Sequence, residues 1–148
     1  MALDEKLIGK VYPPSPVYEV GREKIREFAT AIGDWNPAYH DAEAARALGH
    51  RDLVAPPTFV FTIAFRAMSV ATLDPELGLD YSRVVHGDQR FAYRRPIVAG
   101  DALVCVNTVE EITSRGGHDF LTTRSDVSTD AGEPVVTVWA KLVQRGEE

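Results

Sequence analysis

A chain of 148 residues, 45% hydrophobic and 26% charged, has the length and composition of one globular domain spanning residues 1–148. Its formal net charge of −6 argues against nucleic-acid binding, which needs a basic face to neutralise phosphates. No apolar run reaches the roughly 18 residues of a membrane span, the single Cys105 excludes an internal disulfide, and the histidines lack metal-ligand spacing. We therefore expect a cytoplasmic protein with no metal, no cofactor, and neither a nucleic-acid nor a membrane partner.

Two short helical patterns follow the proline-rich start of the chain. After Gly21, apolar residues recur with the helical repeat and predict a first helix with one apolar stripe: Ile25, Phe28, Ala29 and Ile32. Gly33 is a natural stop for this helix, because glycine readily adopts the left-handed backbone of a helix end. Asp41 is a good N-cap for a second helix, Ala42 to Leu48, which Gly49 closes.

The longest apolar stretch runs from Thr58 to Thr72, with Arg66 as its only charge. A helix that is apolar on every face is buried, and about 15 residues are too few to cross a bilayer. The pattern then changes to alternating strands, and Gly87 is expected to form a bulge in the first of them. We expect strands at 17–20, 103–112, 118–128 and 135–143, and a further strand after Tyr81 in which Val85, Gln89, Phe91 and Tyr93 suggest alternation.

Helices followed by antiparallel strands predict the α+β class. One fully buried helix followed by a strand meander indicates a sheet that curls around that helix. Such a sheet leaves an edge or a face open, and a dimer often closes it. No internal repeat or linker interrupts the chain.

Two separated motifs resemble one superfamily. Gly33-Asp34-x-Asn36-Pro37, followed by Asp41 and Ala45, resembles the hydratase signature of the MaoC-like hot-dog proteins. That superfamily contains (R)-specific enoyl hydratases and 3-hydroxyacyl dehydratases. Phe91-x-x-x-x-Pro96-Ile97-x-x-Gly100-Asp101-x-Leu103 resembles its second block. With 18–27 and 84–89 included, nearly the whole chain is similar to the FAS1-like dehydratase N-terminal group, which includes the A subunit of actinobacterial (3R)-hydroxyacyl-ACP dehydratases.

The resemblance implies a hot-dog fold, in which an antiparallel sheet wraps around one long buried helix. It also implies a homodimer or a heterodimer with a MaoC-like partner subunit. The implied substrate is a fatty acyl chain that lies along the central helix as a thioester of CoA or acyl-carrier protein. Dehydrating a 3-hydroxyacyl thioester means removing the C2 proton and protonating the departing 3-hydroxyl, and the family uses an Asp/His pair for both.

The chain departs from the family pattern at the position of the catalytic histidine. Asp34 and Asn36 match the signature, but Tyr39 stands five residues after the aspartate, where the family has histidine. His40 comes one residue later, which near a helix start is a rotation of about 100°. Asp41 and Ala45 fit the ungapped pattern, so we interpret Tyr39 as the occupant of the histidine position.

A second departure precedes the long helix. Active family members have His-Gly where this chain has Pro56-Pro57, and a backbone N–H there can hold the thioester carbonyl. Proline has no N–H, so that donor is missing, and the N–H of Thr58 could replace it only if the turn shifts. Both departures indicate that this loop does not catalyse by itself.

Three functions therefore compete. The first is a substrate-holding subunit of a (3R)-3-hydroxyacyl-thioester dehydratase, a hydro-lyase whose catalysis a MaoC-like partner supplies. The second is a self-sufficient homodimer that uses Asp34 and His40. The third is a non-enzymatic acyl-binding module, in which Asp34 and Asn36 only fix the loop through local hydrogen bonds.

The candidate site residues form two groups. The candidate catalytic residues are Asp34, Asn36 and His40. The candidate substrate-binding residues are Tyr39, Pro57, Thr58, Phe59, His86 and Gly87.

Overall fold

The computed structural model describes residues 2–147 of the chain. The helices are α1 (Arg22–Ala31), α2 (Ala42–Ala47) and α3 (Val60–Thr72). The strands are β1 (Tyr18–Glu19), β2 (Val84–Tyr93), β3 (Ala102–Arg115), β4 (His118–Thr129) and β5 (Pro134–Gln144). Single turns of 3-10 helix lie at Glu5–Leu7, Pro37–Tyr39 and Tyr81–Arg83. The order of the elements confirms the predicted α+β class.

The two short helices begin where their caps predict. In α1, Ile25 and Ala29 are buried, and the chain leaves the helix at Gly33 with φ at +71°. In α2, the Asp41 carboxylate accepts a hydrogen bond from the backbone N–H of Glu43 at 3.0 Å. This is the N-cap that the sequence predicted, and α2 ends one residue short of the predicted Leu48.

The long helix begins two residues later than predicted. Thr58 and Phe59 belong to a turn, in which the Phe59 N–H donates to the carbonyl of Pro56 at 2.9 Å. The next two backbone hydrogen bonds, from the N–H of Phe61 to Thr58 and from the N–H of Thr62 to Phe59, also span three residues, so the chain makes a tighter turn before the regular helix begins. The helix buries the face that it turns to the sheet, but Phe65 is 46% exposed and Val70 is 55% exposed. Helix α3 is apolar on every face, but the fold buries it on one side only, which corrects the expectation of a fully buried helix.

All five strands join one antiparallel sheet in the order β1-β3-β4-β5-β2. Buried and partly exposed residues alternate along β5, so one side of the strand enters the core. Helix α3 packs against β3, β4 and β5. The antiparallel sheet around a central helix is the predicted hot-dog fold.

Strand β2 forms one edge of this sheet and pairs only with β5 among the described strands. Its register shifts between His86 and Asp88, which confirms the bulge predicted at Gly87. A Cβ atom at Gly87 would lie 2.9 Å from Cγ2 of Val143, so the bulge brings this backbone close to its neighbour. The bulge keeps His86 and Gln89 opposite the buried Leu142 and Ala140.

Three apolar clusters fill the interior, and the smallest of them contains Ala38, Ala45, Val54 and Val98. The first surrounds Phe59, which is fully buried and meets Phe28 edge to face at 5.5 Å between ring centroids. The second lies beyond the end of α3, where Leu3 and Tyr12 of the amino-terminal segment pack on it. The Tyr12 hydroxyl donates to the Asp74 carboxylate at 2.7 Å. Together with Lys10, whose ammonium is the larger cause, it lowers the pKa of Asp74 to about 2.

We expect Phe59→Ala to lower the free energy of unfolding by about 3–5 kcal/mol, because it leaves a cavity in the first cluster. Phe65→Ala removes the same atoms from a side chain that is 46% exposed, and its cost should stay below about 1 kcal/mol. Urea denaturation of both variants measures the difference. Equal losses would contradict the assignment of Phe59 to the core.

Candidate functional site

A cavity of about 480 Å³ opens between the turn before α2, the segment before α3 and the end of β2. Its lining is predominantly apolar, with two phenols and two guanidinium groups among the walls. The lining residues are Tyr39, Val54, Ala55, Pro57, Tyr93, Arg94, Arg95 and Pro96. An apolar cavity with few polar groups is typical of a small-molecule site.

The acid and the amide of the signature are engaged within their own loop. One carboxylate oxygen of Asp34 accepts from the backbone N–H of Asn36 at 3.1 Å. The side-chain carbonyl of Asn36 accepts from the N–H of Ala38 at 3.1 Å and caps the 3-10 turn. These are local Asx hydrogen bonds, and neither residue lines the cavity. Their predicted catalytic role stays a prediction.

Tyr39 enters the cavity from the 3-10 turn and is half-buried. Within residues 2–147, its hydroxyl has no hydrogen-bond partner, so it is free to meet a ligand. Burial raises the pKa of the Tyr39 phenol, and the nearby Asp34 carboxylate raises it further. At neutral pH the phenol therefore keeps its proton and acts as a hydrogen-bond donor.

His40 is turned away from the cavity. Its Nε2 lies 2.9 Å from the backbone carbonyl oxygen of Asp34, and its ring stacks on Trp35 at 5.3 Å between centroids. The Nε of Arg26 also donates to the His40 carbonyl at 2.9 Å. Of the two neighbouring residues, Tyr39 lines the cavity and His40 does not.

The segment before α3 contributes Pro57 to the wall. The carbonyl of Pro57 accepts a short hydrogen bond from the Tyr93 hydroxyl, which joins the end of β2 to the entrance of α3. Burial raises the pKa of Tyr93, and the neighbouring Tyr39 adds to the effect. Thr58 is exposed and Phe59 lies in the core, and neither lines the cavity.

His86 and Gly87 lie in the first half of β2, whereas the cavity is at the end of that strand. The His86 ring is exposed and contacts Phe61 of α3 at 5.9 Å between centroids. The structure does not bring these two residues to the cavity with Tyr39. Their predicted substrate contact stays a prediction.

Sequence reasoning did not select Tyr93, Arg95 or Asp101 as site residues. Asp101 is 4% exposed and accepts from Arg95 at 2.9 and 3.1 Å and from Arg51 at 2.7 Å. It also accepts from the backbone N–H of Val98 at 2.9 Å. This network fixes the Arg95 wall of the cavity. The sequence motif from Phe91 to Leu103 could have pointed to Asp101, because its Gly100-Asp101 pair ends the connection after β2.

Opposing effects set the pKa of Asp101. Burial by itself raises it, but the Arg95 guanidinium, the N–H of Val98 and Arg51 stabilise the charged form and lower the pKa overall. The carboxylate is therefore ionised at neutral pH and compensated by two guanidinium groups. A buried charge is retained in a protein when it is paired and hydrogen-bonded in this way.

The sequence matches a family model described as FAS1-like, dehydratase domain region, over residues 6–138. The chain belongs to this family. A UPF0336 protein of Streptomyces coelicolor is 62% identical over 148 residues, which cover all of this chain and 99% of that protein. A UPF0336 protein of Saccharopolyspora erythraea is 56% identical, with 99% of this chain and 94% of that protein covered.

Solved structures share the fold. A chain of the truncated HadBC (3R-hydroxyacyl-ACP dehydratase) complex of Mycobacterium tuberculosis superposes with a TM-score of 0.82 at 34% identity, covering 93% of this chain and 96% of that one. A MaoC-like dehydratase superposes with a TM-score of 0.89 at 34% identity, covering 96% of this chain and 43% of that one. These likenesses confirm the hot-dog fold. Among the helices described, none is long and apolar enough to span a membrane.

We expect Asp101→Asn to lower the free energy of unfolding at pH 7 by about 2 kcal/mol, because it weakens charge-assisted hydrogen bonds to Arg95 and Arg51. Since the folded pKa of Asp101 lies below the unfolded value of about 3.9, its carboxylate stabilises the fold above about pH 4. That contribution disappears as the pH falls through the folded pKa.

Urea denaturation from pH 7 down to pH 3 checks this prediction. The difference between wild type and Asp101→Asn should shrink below about pH 4, because the Asp101 carboxyl of the unfolded wild-type chain takes up a proton there before the folded one does. The matched control is Asp130→Asn, which changes an exposed carboxylate in the hairpin between β4 and β5. If the difference in the free energy of unfolding between wild type and Asp101→Asn did not change with pH, the ionised Asp101 carboxylate would not be the stabilising group.

Proposed function

We propose that the chain is the substrate-holding subunit of a (3R)-3-hydroxyacyl-thioester dehydratase, and that a MaoC-like partner supplies the Asp/His pair. The observation that carries this proposal is the phenol of Tyr39 in the cavity, with the His40 ring directed elsewhere. From the sequence, we interpret Tyr39 as the occupant of the family's histidine position. The family supports hydroxyacyl dehydratase chemistry in general. The dependence on a partner is our inference.

The cavity has groups that can hold a thioester. Its apolar wall suits an acyl chain, and the protonated Tyr39 hydroxyl can donate a hydrogen bond to a carbonyl or hydroxyl oxygen. Elimination of water also needs a base for the C2 proton and an acid for the 3-hydroxyl. No carboxylate or imidazole lines the cavity within the described chain. A phenol whose pKa is raised by burial is a poor base at neutral pH.

The amino-terminal end of α3 also supports the proposal that this chain holds the substrate and that the partner subunit supplies catalysis. Pro57 lies in the cavity wall and has no N–H to stabilise developing enolate charge. Its carbonyl, which accepts from Tyr93, is an acceptor and cannot replace that donor. A structural relative is named as a dehydratase complex, HadBC, which supports a two-subunit arrangement for this chain. We propose an acyl-ACP or acyl-CoA thioester as the ligand.

We expect the purified chain alone to show no significant hydration of an enoyl-CoA, and its mixture with a MaoC-like subunit from the same genome to be active. Asp34→Asn and His40→Ala in this chain should leave kcat of the mixture unchanged, because neither side chain lines the cavity. The corresponding changes to the partner's Asp/His pair should abolish it. Loss of ultraviolet absorbance of the enoyl thioester measures the rate.

The competing functions give different results in that experiment. Activity of the chain alone that is lost in Asp34→Asn and His40→Ala would contradict partner dependence and favour the self-sufficient homodimer. Binding of a 3-hydroxyacyl-CoA with no increase of any partner's rate would favour the non-enzymatic acyl-binding module.

We expect Tyr39→Phe to weaken binding of a (3R)-3-hydroxyacyl-CoA about five- to tenfold, the value of one hydrogen bond. Isothermal titration calorimetry measures this change. The control is Tyr81→Phe, which removes a phenol hydroxyl that bonds Thr72 and lies outside the cavity. If both variants bind like the wild type, Tyr39 does not hold the substrate.

A further inference from the structure

The apolar cavity has an exposed side and a buried side. Among its lining residues, Pro57, Arg94 and Pro96 are exposed to solvent. Val54 and Ala55 line the same cavity but are only 8% and 5% exposed. A ligand therefore enters past the exposed residues, and the part of it that goes deepest meets Val54 and Ala55. We call these two residues the floor of the cavity.

Backbone hydrogen bonds on two sides hold the floor in place. The N–H of Val54 donates to the carbonyl of Ala38 at 3.0 Å, and the N–H of Ala55 donates to the carbonyl of Ile97 at 2.8 Å. Val54 also forms an isolated antiparallel bridge with Val98. Moving the floor would break buried hydrogen bonds, which is costly. The depth of the cavity is therefore set by the side chains of the floor.

The interior behind the floor is filled. Ala55 belongs to the first apolar cluster, in which Phe59 has no accessible surface. Val54 belongs to the smallest cluster, whose four members are all 8% exposed or less. Close-packed interiors leave no gap for an added alkyl chain. The cavity thus ends at the floor and has no path to the buried face of α3.

The exposed side of the cavity suits the charged end of a thioester. CoA and the phosphopantetheine arm of an acyl-carrier protein both carry phosphate, which is costly to bury without a partner. Within residues 2–147, the exposed guanidinium of Arg94 has neither an ion pair nor a hydrogen bond, whereas Arg95 is paired with Asp101 and Glu133. The carrier therefore stays on the side of Arg94, and the acyl chain points to the floor.

We propose that the floor, with Val54 as the determining side chain, restricts the ligand to short-chain 3-hydroxyacyl thioesters. That the ligand is an acyl thioester rests on the proposed function. The cavity of about 480 Å³ lies in the lower half of the range of roughly 300–1,000 Å³ for small-molecule sites, and it must hold the thioester group as well as the chain. Each methylene buried in the cavity raises affinity about fourfold, and methylenes that find no room add nothing.

The test is a calorimetric titration of the purified chain with (3R)-3-hydroxyacyl-CoA thioesters from butanoyl to hexadecanoyl. In the wild type, affinity should rise with chain length and level off at a short chain. Val54→Ala removes both Cγ methyl groups from the floor, so affinity should level off at a longer chain. Val54→Leu adds a methylene and should make it level off at a shorter one. Because Val54→Leu leaves no void, it tests the floor even if Val54→Ala unfolds.

Val98→Ala is the matched control. Val98 undergoes the same change, belongs to the same cluster and is 7% exposed, but it does not line the cavity. Both alanine variants should lower the thermal midpoint similarly, because each opens a packed cluster. Only Val54→Ala should shift the chain length at which affinity levels off. An equal shift in Val98→Ala, or no shift in either Val54 variant, would overturn the proposal. Wild-type affinity that keeps rising up to the hexadecanoyl thioester would overturn it as well.

A series of n-alkanols from butanol to dodecanol keeps this inference separate from the proposed function, because it measures the depth of the cavity without a thioester. We expect the same shift between wild type and Val54→Ala. Alkanols that show this shift while no acyl-CoA binds would refute the proposed function and leave the floor as the limit for another short apolar ligand. Binding of acyl-CoA with a chain-length limit that ignores Val54 would refute this inference alone.

Discussion

Burial of one face of α3 against the antiparallel sheet is the interaction that holds the other features in place. The helix packs on β3, β4 and β5, and its entrance is fixed by Phe59 in the core. The carbonyl of Pro57 lies at this entrance and accepts a hydrogen bond from the Tyr93 hydroxyl at the end of β2. The cavity wall thus depends on the position of α3 within the sheet.

That arrangement produces a site that can bind but has little means to transfer protons. The free hydroxyl of Tyr39 faces an apolar space, while His40 uses its ring nitrogen on the Asp34 backbone and its ring face on Trp35. Asp34 itself is engaged by the N–H of Asn36. The loop keeps the hydrogen bonds that fix its shape, and its acid and imidazole stay outside the cavity. Our proposal that the chain holds a ligand for another subunit rests on this geometry.

The same one-sided burial leaves a second surface incomplete. Because the sheet covers only one side of α3, Phe65 remains exposed next to the open edge of β2. The Gln89 amide, which has no hydrogen-bond partner within residues 2–147, lies on the inward side of the same strand.

The sequence by itself determined what acts over a few residues. It predicted the helix stripe through Ile25, the Asp41 cap and the Gly87 bulge, because periodicity, capping and glycine geometry are local properties. Only the tertiary structure decided which distant groups meet, such as Tyr93 with Pro57. These contacts depend on strand register and on the position of α3 against the sheet. Packing across the whole chain fixes both, and the local sequence pattern does not encode them.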